Sequence, residues 1–169
     1  MGRSRGGLST KIHALVDALG NPIGFHLSGG EAHDLVGADH LLPDMQADTL
    51  IADKAFDADN RVIEPLAASG KTAVIPPRSN RRSPRSFDRD LYKVRHLIEN
   101  FFAKLKPFRA IATRYDKTAR CFLAGIHLAA EADNEYAMID STIVRAHQHA
   151  AGAPKKLGLT RRSDAARAG

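Results

Sequence analysis

A carboxylate with basic neighbours lies in a stretch of helical periodicity. Residues 92–106 read YKVRHLIENFFAKLK. At 3.6 residues per turn this stretch carries an apolar stripe and, offset by roughly a third of a turn, a polar stripe of Tyr92, Arg95, Glu99 and Lys106. Because the polar stripe borders the apolar one, Glu99 could lie at the lip of a cleft as a chemically active carboxylate. A surface helix with spaced charges is the alternative.

A second candidate carboxylate follows a short apolar run. Residues 49–53, TLIAD, have the pattern of a buried strand in an α/β sheet, and Asp53 ends it. A charge there is costly unless it is paired or exposed at the strand end, so Asp53 is a candidate site residue. Asp57, Asp59 and Asp88 lie in polar segments and are expected to be solvated turns or caps.

The elements that must position these residues follow from periodicity and turn signals. GRSRGG, residues 2–7, is too rich in glycine for regular structure and is expected to be a flexible basic lead-in. Residues 78–90 hold one apolar residue and are expected to form a mobile basic loop. The other predicted elements are a hairpin over 9–28, strands over 49–53, 72–75 and 136–145, and helices over 35–42, 58–69, 92–106 and 118–130.

The size and charge of the chain limit its class. With 169 residues, 43% of them apolar, the chain suits one domain with a hydrophobic core. A net charge of +6 and a pI near 9.7 favour an anionic partner, and the positive charge is clustered in groups such as Arg81, Arg82 and Arg85. Such clusters fit phosphate contacts, which give affinity without sequence specificity. No helix-turn-helix or zinc-finger pattern is visible.

Cysteine and apolar content narrow the class further. The single Cys121 excludes a disulfide framework, and its apolar surroundings predict that it packs as a small hydrophobe. His147 and His149 have a spacing that can ligate a metal, but without partner residues they are expected at the surface. There is no apolar stretch long enough to span a bilayer and no signal peptide, so we expect a cytoplasmic protein that does not associate with membranes.

The polar stripe and its flanks resemble a known family. The order Tyr92, Arg95, Glu99, Lys106 resembles the signature around the catalytic glutamate of bacterial insertion-sequence transposases of the Asp-Asp-Glu (DDE) type, in the insertion-sequence-five family. The segments RHLIENFFAKLKPFRAIATRYDK and GRSRGGLSTKIHALVDALGNPIGFHLSGG also resemble that family. The resemblance covers about residues 2–156. It implies a ribonuclease-H-like α/β fold, a mixed sheet flanked by helices, that cleaves DNA strands and transfers them during transposition.

The resemblance also implies which residues form the site. Asp140, Asp53 and Glu99 match the family's three catalytic carboxylates, which would hold two Mg²⁺ or Mn²⁺ ions for phosphodiester chemistry. Six basic or aromatic residues would contact the DNA backbone: Tyr92, Arg95, Lys106, Arg81, Arg82 and Arg85. The implied partner is DNA, both transposon ends and target, with a homodimer as the candidate assembly.

One feature departs from the family pattern. Residues 136–145, YAMIDSTIVR, resemble the family's first catalytic strand, which in the family precedes the GRSRGG segment. Here the strand follows the last helix, as in a circular permutation or a fusion of two tandem copies. We therefore expect one permuted catalytic domain over residues 1–150, lacking the family's N-terminal DNA-binding region, and a basic disordered tail over 151–169. We predict that the Asp140 strand returns to the sheet centre.

Because this strand is displaced, the sequence alone does not decide whether this chain is catalytically active. One alternative is a catalytically inactive, transposon-derived remnant that binds DNA non-specifically. Another is a partly folded fragment without function. The discriminating feature is whether the three carboxylates converge, since two-metal ligation demands it.

Overall fold

Helices and strands build one α/β arrangement around a mixed sheet. The computed structural model describes residues 2–4, 7–127 and 137–146. The predicted segments at 147–149 and 151–169 lie outside the described residues. No helix within the described part of the chain has the length and apolar character needed to cross a membrane.

Among the residues that the structure describes, seven strands form the sheet. Its main path runs β1-β2-β7-β4-β5, while β3 also pairs with β2 and β6 with β7. β2 is antiparallel to β3 and β7, whereas β4 is parallel to β5 and β7. The strands are β1 (Gly2–Ser4), β2 (Gly7–Val16), β3 (Pro22–Gly29), β4 (Thr49–Ala52), β5 (Thr72–Val74), β6 (Thr113–Arg114) and β7 (Ala137–Ala146).

In the described part of the chain, six α-helical segments connect or cover the strands. They are α1 (Leu35–Leu41), α2 (Glu64–Ala68), α3 (Arg89–Tyr92), α4 (His96–Leu105), α5 (Arg109–Ala112) and α6 (Ala119–His127). A π-helical turn, Asp59–Ile63, leads into α2, and Gly70 follows α2 with a positive φ of 71°, as expected of a glycine after a helix. The predicted helix over 92–106 begins earlier, at Arg89, where the Asp88 carboxylate accepts from the backbone N–H groups of Asp90 and Leu91.

The last strand lies in the middle of the sheet, as the sequence predicts. β7 pairs with β2 on one side, with Ala14 opposite Asp140. On its other side β7 pairs with β4, with Ala52 opposite Ile139. The strand thereby satisfies the backbone donors and acceptors of both neighbours, which would otherwise be unpaired in the sheet interior.

The sheet is buried on both faces. Ile12, Ala14 and Val16 of β2 belong to a core with the apolar stripe of α4 and with α6, whereas Leu15, on the alternate face, belongs to a second core with α1. The predicted stripe of α4 is confirmed, because Ile98, Phe101 and Leu105 are buried. Each fully buried side chain of this size contributes about 1.5–3 kcal/mol.

Three sequence predictions are wrong. The glycine-rich start is not irregular throughout, because β1 pairs with residues Gly7 to Ser9 through backbone bonds that need no side chain. Cys121 is exposed, because it lies on the outer face of α6, whose buried residues are Phe122 and Ile126. The loop over 78–90 is held by ion pairs, described below, which its composition did not reveal.

Candidate active site

Two of the predicted carboxylates stand at the same level on neighbouring strands. The parallel register sets Ala52 opposite Ile139, and the next residues are Asp53, which directly follows β4, and Asp140 of β7. Paired strands lie about 4.8 Å apart. Because side chains alternate along a strand, both carboxylates lie on the face that carries Ile51 and Ala14, which is the face covered by α4. Each aspartate also accepts a bond from the N–H of the residue that follows it.

Arg95 joins the third carboxylate to this pair. Its Nη1 donates to Asp140 Oδ2 at 3.0 Å, and its Nη2 donates to Glu99 Oε1 at 2.5 Å. The side chains of Arg95 and Asp140 are 17% and 22% exposed, whereas that of Glu99 is 58% exposed. Glu99 therefore reaches the site from its rim, and a guanidinium separates it from Asp140.

The helix geometry explains this arrangement. Between α3 and α4 the chain takes a 3₁₀ turn, Lys93–Arg95, that tightens the winding just before α4. From the end of this turn Arg95 reaches across to β7, while its spacing of four residues from Glu99 brings both side chains to one helix face. The spacing was visible in the sequence, but the bond from Arg95 to Asp140 joins residues 45 apart and was not predicted.

Burial and charge shift the pKa values of this group. Burial raises the pKa of Asp140 above its ordinary value and Asp53 adds to the rise, although the Ser141 N–H and Arg95 oppose it. For Arg95, burial acts to lower the pKa, but Asp140, Tyr92 and Glu99 outweigh it and the net shift is upward. The raised pKa of Asp140 shows that burial, together with the neighbouring Asp53, disfavours its charged form.

The remaining predicted helix residues lie on either side of this group. Tyr92 is half-buried and packs edge-on against Phe87, with ring centroids 5.6 Å apart. Burial is the main cause of its raised pKa, and Asp53 and Asp140 contribute to the rise. Lys106 is exposed just beyond α4, beside an apolar cavity that Ile12 and Thr142 also line.

The predicted DNA-binding arginines of the loop differ in their partners. Arg81 and Arg85 both pair with Asp57 and Asp59: Arg81 Nη1 donates to Asp57 at 2.7 Å, and Arg85 Nη1 donates to Asp59 at 3.1 Å. The expectation that Asp57 is solvated is wrong, because its side chain is 1% exposed. Arg82, between them in sequence, is exposed.

A positioning contact that sequence reasoning missed holds the turn after Asp53. Arg78 Nε donates to the Lys54 carbonyl at 3.1 Å and Nη2 to the Ala55 carbonyl at 2.6 Å. Its backbone N–H donates to Asp57 Oδ2 at 2.8 Å. These bonds tie the loop after β5 to the turn Lys54–Phe56, which follows Asp53 directly. No local pattern could have found them, because the partners lie more than 20 residues apart.

A second polar group, also missed, lies on the opposite face of β7. Ser141 Oγ donates to Asp34 Oδ1 at 2.7 Å, and Lys11 Nζ donates to the same oxygen at 2.8 Å. Beside them His13 is fully buried; its Nε2 lies 2.8 Å from Ser28 Oγ, and its Nδ1 has no hydrogen-bond partner. Burial, and then His26, lowers the pKa of His13 to about 4.

The donor set suits a hard cation. Mg²⁺ prefers carboxylate oxygens and needs only one or two of them when water and phosphate complete its shell. Asp53 and Asp140 provide such a pair. Across residues 2–4, 7–127 and 137–146 no three His, Cys, Asp or Glu side chains come close enough to hold an ion together. Glu99 would therefore join a metal only if Arg95 moved from between the carboxylates.

Comparison with known proteins decides the family. The model of the transposase DDE domain matches residues 2–130, which is more than half of the chain. The chain belongs to the DDE transposases. The matched region contains Asp53, Arg95 and Glu99 and ends before β7, so Asp140 lies outside it.

Two relatives are similar to this chain, and one of them is named as a transposase. A Brucella ovis protein named as a transposase for insertion sequence element IS6501 is 40% identical over 126 residues, covering 72% of this chain and 95% of the relative. An uncharacterized Sinorhizobium fredii protein, y4sN, is 48% identical over 58 residues, 32% of this chain and 46% of the relative. No solved structure matches the chain.

Family membership settles the general function. This DDE transposase domain functions in DNA transposition, and the family acts on DNA and depends on divalent metal ions. A non-catalytic remnant, the alternative considered from the sequence, is not favoured.

Proposed function

We propose that Asp140, Asp53 and Glu99 are the catalytic carboxylates of this transposase, which cleaves DNA strands at the ends of an insertion sequence and joins them to a target. The observation that carries the proposal is the hydrogen-bonded link from Asp140 through Arg95 to Glu99, with Asp53 directly after the strand that pairs with β7. Three carboxylates around a single guanidinium, one of them half-exposed at the rim, leave a site that favours added positive charge.

The proposed ions are Mg²⁺ or Mn²⁺, two per site. Asp140, Asp53 and Glu99 would hold these ions. When bound, such ions neutralise charge on the phosphate and activate the attacking oxygen. The protein orients the carboxylates: the Lys54 and Ser141 N–H groups fix one oxygen of Asp53 and of Asp140 respectively. Arg95, displaced from the carboxylates, is placed to contact a phosphate bidentately.

The strand order supports a ribonuclease-H-like fold for this domain. Three consecutive antiparallel strands, β3, β2 and β7, continue into the parallel strands β4 and β5. The late position of β7 in the chain supports a circularly permuted member of the insertion-sequence-five family. We propose residues 1–150 as that catalytic domain and 151–169 as a basic tail.

The DNA contacts we propose fall into two groups. Tyr92, Arg95 and Lys106 border the carboxylates, whereas Arg81, Arg82 and Arg85 lie in the loop after β5. Arg82 is exposed, so its side chain is accessible to a DNA phosphate. Arg81 and Arg85 would have to share their guanidinium groups between DNA and the carboxylates of Asp57 and Asp59. A homodimer would allow two such domains to act on the two ends of one element.

Divalent-ion titration with thermal melting tests the proposed site. An ion that binds only the folded state must raise the melting temperature. We expect Mg²⁺ or Mn²⁺ to stabilise the native protein, and Asp53→Asn to abolish most of that gain. The matched control is Asp44→Asn, which alters an exposed carboxylate in the segment between α1 and β4 and should retain the full response.

Cleavage of labelled transposon-end DNA extends the test to activity. Loss of one catalytic carboxylate removes several kcal/mol of transition-state stabilisation, a loss of on the order of a thousandfold in rate. Asp53→Asn and Asp140→Asn should both show it. Equal ion-induced stabilisation of the native protein and Asp53→Asn would contradict the site.

A further inference from the structure

We infer that Asp34 is a positioning residue for the proposed catalytic site: by accepting the hydroxyl of Ser141, it fixes the register of β7 and so the face on which Asp140 lies. The inference rests on the proposed role of Asp140. It concerns the face of the sheet opposite the site, where no catalytic residue is proposed.

The need for such a device follows from the sequence of β7. Its alternating positions hold large apolar residues in both sets, Met138 and Val144 in one and Ile139 and Ile143 in the other. Register is well specified when only one face of a strand is apolar, since a slip then exposes that face. β7 lies at the sheet centre, and both faces of the sheet are covered by cores, so the alternation in its sequence alone does not specify its register.

A slip of one residue would have a large effect on the site. Successive side chains point to opposite faces, so the slip turns Asp140 away from Asp53 and towards α1. Ser141 is opposite His13 in the observed register, and Asp140 is opposite Ala14. In a slipped strand Asp140 or Thr142 would take the position of Ser141 beside Asp34.

Asp34 disfavours, by its charge, the slip that brings Asp140 beside it, whereas the opposite slip brings the hydroxyl of Thr142 to the same place. Its Oδ1 already accepts from Lys11 Nζ and from Ser141 Oγ, at 2.8 Å and 2.7 Å. Lys11 is itself held by the Ala32 carbonyl at 2.6 Å and is 10% exposed, so the acceptor is fixed in place. Asp140 in the same place would set a second carboxylate against Asp34, which is unfavourable.

The region that holds Asp34, where α1 packs against β2, is closely packed. Asp34 directly precedes α1, and a Cβ added at Gly37 in that helix would lie 2.3 Å from His13 Nδ1. The helix therefore approaches β2 as closely as a glycine allows. Asp34 can thus move little, so it cannot withdraw from a second carboxylate that a slip brings against it.

Cross-strand disulfides report the register directly. In a Cys121→Ser background, a cysteine pair replacing Leu15 and Ile139 lies at Cα partners of the native register. Pairs replacing Leu15 and Met138, or Val16 and Ile139, become partners only after a slip in one or the other direction. Partner Cα atoms on one face are within disulfide range, whereas neighbouring positions point to opposite faces and cannot bridge. Oxidised glutathione closes the bonds, and mass spectrometry gives the ratio of slipped to native cross-links.

The decisive comparison is Ser141→Val against Ser141→Thr, which differ only in the hydroxyl. We expect the ratio of slipped to native cross-links to rise about tenfold in Ser141→Val, as for loss of one hydrogen bond to a charged group, and Ser141→Thr to restore it. The control Ser28→Val removes the hydroxyl that contacts His13 from β3 and should leave the ratio unchanged. Equal ratios in the valine and threonine variants would overturn the inference.

The outcome is separable from that of the proposed function. The cross-links form without metal or DNA, so a protein that fails the divalent-ion test can still show the register effect. Conversely, an ion-responsive protein whose Ser141→Val variant keeps the native ratio would retain the proposed site and lose this inference. Asp34→Ala is unsuitable as the test, because it leaves Lys11 buried without its counter-ion.

Discussion

On the face of β7 that α4 covers, one guanidinium is shared among three carboxylates, whereas on the α1 face one ammonium meets one carboxylate. Arg95 bonds Asp140 and Glu99 and lies near Asp53. Lys11 pairs with Asp34. Charge is in excess on the first face and balanced on the second. The α4 face, where negative charge is in excess, is therefore suited to bind added cations. The α1 face, where charge is balanced, is suited to hold β7 in place.

The balanced face should contribute most to stability. Lys11→Met removes the ammonium and leaves the Asp34 carboxylate, largely enclosed, with the Ser141 hydroxyl. Loss of one partner from such a pair should lower the free energy of unfolding by about 3 kcal/mol. Urea denaturation measures the change. Lys104→Met, on the exposed side of α4, should change stability by less than about 0.5 kcal/mol. Similar losses in both variants would remove the distinction between the faces.

Lowering the pH should reduce the stability of the folded protein through His13, which lies on the same face. Its pKa of about 4 in the folded protein lies below the ordinary 6.5. As pH falls below 6.5, the unfolded chain takes up a proton that the folded chain refuses, so stability falls until the pH passes about 4. From pH 7 to pH 5 we expect a loss of about 2 kcal/mol.

Two histidine variants isolate this contribution. His13→Gln should flatten the fall in stability between pH 7 and pH 5, whereas His96→Gln, which changes the exposed first residue of α4, should preserve it. Chemical denaturation at a series of pH values gives the comparison. A slope that survives in His13→Gln would assign the acid sensitivity to other groups.

The site face should respond most to changes in cation binding. Arg95 competes with a metal ion for the oxygens of Asp140 and Glu99, so Arg95→Gln should lower the Kd for Mn²⁺ on the order of tenfold, with a smaller effect on stability than Lys11→Met. Isothermal titration calorimetry measures the Kd. Lys93→Gln, which alters an exposed lysine paired with Asp90 three residues earlier, is the control. Unchanged affinity in Arg95→Gln would show that the guanidinium does not occupy the ion's place.

The sequence was most informative where contacts are local. Helical spacing predicted the buried stripe of α4 and the side-by-side placement of Arg95 and Glu99, because residues four apart share a helix face. Apolar runs predicted the positions of β4 and β7. The resemblance to the DDE transposases pointed to Asp53, Glu99 and Asp140, whose roles remain proposals.

The sequence was least informative about contacts between residues that lie far apart in the chain. The burial of Asp57 depends on arginines more than 20 residues away, and the bond from Ser141 to Asp34 spans 107 residues. Polar residues in a polar segment give no sign of such pairing. The exposure of Cys121 depends on how α6 is rotated about its axis, and one apolar run did not specify that rotation.

The central place of β7 also has a consequence for synthesis. During translation β2 and β4 emerge before the strand that pairs with both. Until β7 follows, the two edges that will receive it present unpaired N–H and C=O groups beside apolar side chains, a surface prone to pair with other chains. Closing the sheet then requires contacts between residues more than 120 positions apart, which are slow to form. Nascent chains of this transposase should therefore pass through an open, chaperone-dependent stage before the last strand inserts.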